Sequence, residues 1–86
     1  MRKAWTDDGW LDYVYWQSED KRTLKKINRL IKSIERDGVM QGEGHPEPLK
    51  YRKGYSRKIN DKDRLVYDIE NEELVIISCR GHYEES

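Results

Sequence analysis

Leu74 to Tyr83, LVIISCRGHY, is the stretch whose reading decides the fold. It opens as the most apolar run of the chain, and a continuous Val/Ile-rich run of this length reads as a central strand buried on at least one face. It closes on Arg80, His82 and Tyr83. Two readings of that end stay open: a scaffold strand that delivers an imidazole and a phenol to the surface, or a core strand with a polar fray.

Working back from it, Asn71 to Glu73 is a turn, and Arg64 to Glu70 alternates with Leu65, Tyr67 and Ile69 on one face. A two-residue turn at Asn71-Glu72 sets that face beside Leu74, Ile76 and Ser78. A three-residue turn sets it beside Val75, Ile77 and Cys79, and separates polar from apolar better. The second register is the expected one, and it gathers Arg64, Ser78, Arg80 and His82 on the other face, with Arg57 added from the preceding hairpin. Further strands are expected at Leu49 to Tyr51 and Tyr55 to Ile59, with a polar turn at Asn60 to Asp63.

The first half is helical. Arg2 to Trp5 reads as a short strand, Thr6 as an N-cap, and Asp7 to Gln17 as a helix with acids in its first turn. That helix carries Trp10, Leu11, Tyr13, Val14, Tyr15 and Trp16, apolar almost all round, so it calls for cover on two sides. Ser18 is expected to open a second helix ending at Asp37-Gly38. Leu24, Ile27, Leu30, Ile31 and Ile34 form its apolar stripe, and Arg22, Lys25, Lys26, Arg29, Lys32 and Arg36 its basic face. That face suits phosphate contacts, or is an ordinary solvated surface. In the linker GVMQGEGHPEP, Glu47 stands between Pro46 and Pro48, which offers its carboxylate from a stiff extended segment.

With 86 residues the chain reads as a single domain, 1–86. Charged residues are 40% of it and mean hydropathy is -1.13, but three Trp and six Tyr at periodic positions supply a thin aromatic core. The zero net charge is segregated: residues 50–64 hold seven Lys/Arg against two acids, and residues 65–86 one against six. A basic middle suits an anionic partner. No window reads as a membrane span or a signal peptide, and the lone Cys79 sits in the apolar strand, so a cytoplasmic protein with no membrane partner is expected.

The sequence has no phosphate loop, no zinc-spaced Cys/His pairs and no serine nucleophile elbow. Glu47, Lys50, Arg57, Arg64, Arg80, His82 and Tyr83 instead suit phosphodiester cleavage without metal or cofactor. RNA brings its own 2′-OH nucleophile, so a base, an acid and cations around the phosphorus suffice. Two readings compete with it: a non-catalytic RNA- or protein-binding module, and an interaction protein whose basic helix docks an acidic partner.

The blocks AWTDDGWLDYVYWQ, DKRTLKKINRLIK, PEPLK, GYSRKI, DRLVY and CRGHY, in this order, resemble the YoeB/Txe-type toxins of the RelE superfamily. The resemblance implies an α+β, microbial-ribonuclease-like fold: an antiparallel sheet with two N-terminal helices on one side. It also implies endonucleolytic cleavage of mRNA in the ribosomal A site. Carried over, Glu47 is the general base, His82 the general acid, Arg64 the stabiliser of the transition state and Tyr83 a positioning group, with Lys50, Arg57 and Arg80 as phosphate contacts. The implied partners are a cognate YefM/Axe-like antitoxin, the ribosome and mRNA, a second copy of the chain, and operator DNA only through the antitoxin complex. The basic face of the second helix becomes a ribosome-contact candidate. A ParE-like toxin directed at gyrase is the rival within the superfamily. The chain departs from the pattern at His45, at Tyr55, at Gly81, which is expected to loosen the closing motif, and in the tail Glu84-Glu85-Ser86.

Overall fold

The computed structural model describes residues 1–81. Its elements are β1 (Arg2–Trp5), α1 (Asp7–Glu19), α2 (Lys21–Asp37), β2 (Glu47–Pro48), β3 (Tyr55–Lys58), β4 (Arg64–Glu70) and β5 (Glu73–Ser78). The strands form one sheet in the order β1-β5-β4-β3-β2, so β5 is an interior strand. The sheet is antiparallel except where β1 pairs parallel with β5.

Both helices cover one face of this sheet. Trp16 of α1 and Ile27, Leu30, Ile31 and Ile34 of α2 pack with Leu65, Tyr67, Leu74, Ile76 and Cys79 in a single core. The α2 positions are those of its apolar stripe, and each fully buried Leu or Ile contributes about 1.5–3 kcal/mol relative to exposure. This is the α+β arrangement implied by the sequence.

Helix α1 is clasped to β5 at two points. Thr6 caps it, accepting from Gly9 N at 3.0 Å and donating to Ile77 O at 2.7 Å. Further along, Trp16 Nε1 donates to Cys79 O at 2.8 Å, and Cys79 N donates to Asp12 Oδ2 at 2.9 Å. Gly9 permits the approach, because a Cβ built there falls 2.4 Å from Ile76 O. The opposite side of α1 leaves Trp10, Leu11 and Val14 exposed, at 49%, 64% and 38%.

Several expectations need correction. Ser18 does not start α2: it lies in the last turn of α1, and Asp20 is both the C-cap of α1 and the N-cap of α2. Asp20 accepts from Arg22 N and Thr23 N and takes the Thr23 hydroxyl at 2.8 Å, a set of donors that a serine at 18 cannot reach. The strand expected at 49–51 sits two residues earlier, as the edge strand β2. An edge tolerates Pro48, which has no N–H to give to a neighbour. Leu49 is instead a buried anchor behind it.

The turn into β5 has two residues, not three. Asn71 and Glu72 have φ of 50° and 63°, the mirror-image turn whose twist matches a hairpin. Ile69 therefore faces Leu74 and Tyr67 faces Ile76. A bulge follows: Val66 pairs with Ser78, so Ile77 is an extra residue on β5. One inserted residue reverses the facing of everything beyond it. Cys79 consequently returns to the core, as the three-residue turn required. The turn was misread, while Ser78 and Cys79 beyond the bulge face as expected.

Candidate active site

The sheet face away from the helices carries the acid–cation pair. Register aligns Glu47 with Ser56, Ser56 with Val66 and Val66 with Ser78, one row across four strands. Arg64 stands two residues from Val66 on the same face of β4, opposite Lys58. Its guanidinium reaches back to the row, donating from Nη1 to the buried Ser56 Oγ at 3.1 Å, with Nη2 3.4 Å from Glu47 Oε1. Arg64 is mostly covered (23% of its side chain exposed) while Glu47 is open to solvent at 58%, so the cation is fixed and the carboxylate accessible.

Glu47 is held by its neighbours more than by its own contacts. On one side Lys58 N donates to Gly44 O at 2.6 Å. On the other, Leu49 is buried and its N–H donates to Gly54 O at 2.9 Å. Pro46 and Pro48 fix φ between these anchors. A carboxylate presented in this way can take a proton, and a guanidinium beside it can hold the negative charge of a phosphate in transit.

Arg57 is not part of this face. It is 0% exposed, on the helix side of β3. Its guanidinium donates to six neutral oxygens: Tyr67 Oη (2.9 Å), Ser33 Oγ (3.1 Å) and the carbonyls of Gly38 (2.8 Å), Val39 (3.3 Å), Gln41 (2.6 Å) and Glu43 (2.8 Å). Its phosphate-contact assignment is therefore corrected: it organises the α2–β2 connection. The parity that separates the two faces was present in the sequence. Tyr55 and Ile59, both core residues, share their facing with Arg57 and leave Ser56 and Lys58 for the other side. Lys58 is thus the cation missed in the sequence, exposed beside Arg64 and 3.1 Å from Asp61 Oδ1.

The other site residues expected from the sequence divide. Lys50 is exposed in the loop after Leu49. Arg80 lies over the Tyr15 ring, 3.6 Å from its centroid, and so leans on α1. His82, Tyr83 and the tail from Glu84 lie outside the described residues. Gly81 is not loose: its N–H donates to Asp63 Oδ1 at 2.7 Å and its carbonyl accepts from Arg64 N at 3.0 Å. On the basic face of α2, Lys26 (2.9 Å) and Arg29 both bind Glu43, and Arg36 binds Asp37. Arg22, Lys25 and Lys32 are exposed. Glu43 is held down to about 2 by the hydrogen bond from Arg29, then by that from Lys26. A cleft of about 340 Å³ between α2 and the β3–β4 turn is lined by Lys26, Glu43, His45 and Lys58, among others. Cys79 takes no part in chemistry, since burial pushes its thiol up to about 12.

Two helices on one face of a small sheet and a carboxylate–guanidinium pair on the other define a small α+β protein. Residues 5–83 match the family described as the YoeB-like toxin of bacterial type II toxin-antitoxin systems. A Toxin YoeB from Synechocystis is 52% identical over 86 residues, covering 98% of this chain and 99% of that protein. The Toxin YoeB of Escherichia coli is 46% identical over 85 residues, covering 96% of this chain and 100% of that protein. In solved structures, the YoeB dimer of Staphylococcus aureus superposes with a TM-score of 0.90 at 42% identity, covering 96% of this chain and 98% of that one. A heterotetrameric YoeB–YefM toxin–antitoxin complex from the same species gives 0.88 over the same shares. The chain belongs to the YoeB-like toxins of bacterial type II toxin–antitoxin systems.

Proposed function

We propose that this toxin is an endoribonuclease that cleaves mRNA in the ribosomal A site and thereby halts translation. The observation that carries the reading is the Glu47–Arg64 pair, 3.4 Å apart on the sheet face away from the helices, with the cation fixed by Ser56 and the carboxylate exposed. Glu47 takes the proton of the 2′-OH, whose oxygen attacks the adjacent phosphorus. Arg64, with Lys58 beside it, stabilises the charge of the five-coordinate phosphorus. The 5′ oxygen leaves and takes its proton from His82, giving a 2′,3′-cyclic phosphate and a 5′-OH. Tyr83 positions the substrate, Lys50 supplies a further phosphate contact, and Arg80 takes that role only by leaving Tyr15. The RNA supplies the nucleophile, so the reaction as written needs no metal ion.

Two partners follow. A YefM-like antitoxin segment over this face blocks the acid–cation pair, and the complex reaches operator DNA through the antitoxin. A second copy of the chain covers Trp10, Leu11 and Val14, the exposed apolar side of α1 that a single copy leaves in water. Exposed cations on α2 (Arg22, Lys25 and Lys32) contact ribosomal phosphates.

The test is to add the purified protein to programmed ribosomes and map mRNA 5′ ends by primer extension. Cleavage at the A-site codon is expected from the wild type and not from Glu47→Ala combined with His82→Ala. No cleavage by the wild type, or equal cleavage by the double variant, refutes the assignment.

A further inference from the structure

We propose that Asp63 is a positioning residue of the active site. Together with the Arg64 N–H it clips Gly81 and sets the point from which the chain continues into His82. The proposal rests on the ribonuclease reading above and adds to it a group that touches neither substrate nor phosphate.

The clip has two opposed halves. Gly81 N–H donates to Asp63 Oδ1 at 2.7 Å, and Arg64 N–H donates to Gly81 O at 3.0 Å. Both backbone groups of Gly81 are thereby used by consecutive residues of the β3–β4 turn and β4. The turn is itself braced: Asn60 Oδ1 accepts from Lys62 N and Asp63 N, both at 2.8 Å, and Ile59 N donates to Asp63 O at 3.0 Å. Two residues earlier, Cys79 is held in the same double manner by Asp12 and Trp16 of α1. The chain is thus fixed at 79 by the helix layer and at 81 by the turn that precedes the catalytic cation.

Glycine at 81 fits this role. Its φ is +85°, a region that favours glycine, while a Cβ there meets nothing within 4 Å among the described residues. The requirement is one of backbone conformation, imposed by a chain that must present N–H and C=O to Asp63 and Arg64 together. His82 follows by one peptide bond, and Arg64 both closes the clip through its backbone and pairs with Glu47 through its side chain. One residue therefore ties the origin of the acid to the position of the base.

The experiment compares wild type, Asp63→Ala, Asp63→Asn, His82→Ala and Asp63→Ala/His82→Ala on programmed ribosomes. Gly81 amide hydrogen exchange is followed by NMR in the wild type and the Asp63 variants. Asp63→Ala is expected to lower kcat about 10- to 100-fold, the effect of misplacing a catalytic group by about 1 Å, with KM little changed. Asp63→Asn keeps an acceptor oxygen and is expected to stay within about threefold of wild type. The double variant is expected to be no slower than His82→Ala alone, because a clip has no effect once the group it positions is gone. A general structural role would instead lower the His82→Ala rate again. Gly81 exchange is expected to be faster in Asp63→Ala than in wild type. Wild-type cleavage with Asp63→Ala at full rate, or additive losses in the double variant, overturns the positioning role alone. An inactive wild type overturns the ribonuclease reading and the role with it.

Discussion

Replacing Arg57 with Met removes a buried cation whose partners are all neutral oxygens. After the change Tyr67 Oη still donates to Val39 O at 2.6 Å, and Ser33 Oγ keeps its bonds to Asp37 and to Glu43 N. Gly38 O keeps only a 3.4 Å bond from Gln41 N, while the Gln41 and Glu43 carbonyls lose the guanidinium that gathers them inward. A buried acceptor left without a donor costs about 1–3 kcal/mol, and the loop can recover part by turning its exposed segment at 41–42 to water. The expected loss is about 3–4 kcal/mol, out of a total of roughly 4–13 kcal/mol for a chain of this length. Urea unfolding measures it, with Lys32→Met as an exposed control expected to stay within about 0.5 kcal/mol. Arg57→Lys should lose less than Met, because an ammonium has three donors but no planar fork to span the cage. A loss below about 1 kcal/mol for Arg57→Met would mean that the connection holds its own shape, and would sink the organiser role.

Gly9→Ala separates two effects of opposite sign: helix propensity favours Ala by about 1 kcal/mol, whereas the Ile76 carbonyl 2.4 Å from the new Cβ is backbone and cannot swing aside. Crowding should win by about 1–3 kcal/mol, seen as a lower Tm; an unchanged or higher Tm would show that α1 slides freely on β5. Glu72→Gly should stabilise by about 0.5–1 kcal/mol by relieving a positive φ, and thermal unfolding that moves downward would contradict the turn geometry. Acid should weaken the fold through Glu43 and Asp37, both at about 2 against ordinary values of 4.5 and 3.8. A carboxylate lowered in the folded state contributes fully above its unfolded value and loses that contribution as pH falls through the folded one. Stability should therefore drop between about pH 4.5 and 2, and Glu43→Gln should flatten the slope; equal slopes in the two proteins would exclude the Glu43 ion pairs as its source.

Local signals carried the element plan. Thr6, the α2 stripe, Asp37-Gly38 and the alternation of Arg64 to Glu70 each announce a cap, a face or a strand through residue chemistry alone. Misreadings arose where two local signals compete or where a long-range contact decides. Ser18 and Asp20 are both good caps, and only the Thr23 hydroxyl three residues on favours Asp20. The bulge at Ile77 comes from how β5 meets β4 and leaves no mark in the composition of either strand. Asn71-Glu72 hides a tight turn because Glu replaces the glycine that would have announced it. For the site, Glu47 and Arg64 were singled out by type and context, and the structure brings the two side chains together. Arg57 was misassigned because its charge outweighed the parity it shares with Tyr55 and Ile59, and the role of Asp63 depends on a bond across 18 residues that no spacing rule reveals.

The parallel pairing of β1 with β5 has a consequence for how the protein comes into being. Arg2 to Trp5 are synthesised well before their partners, Glu73 to Ile76, and the α1 clasps wait for Ile77 and Cys79. At about 5–20 residues per second, roughly 4–16 s separate the appearance of the first strand from that of the residues that seat it. During that interval α1 has no sheet to lie on and Gly81 does not yet exist to meet Asp63. A growing chain therefore lacks its docked first strand and its seated first helix until residues 73–79 have been made.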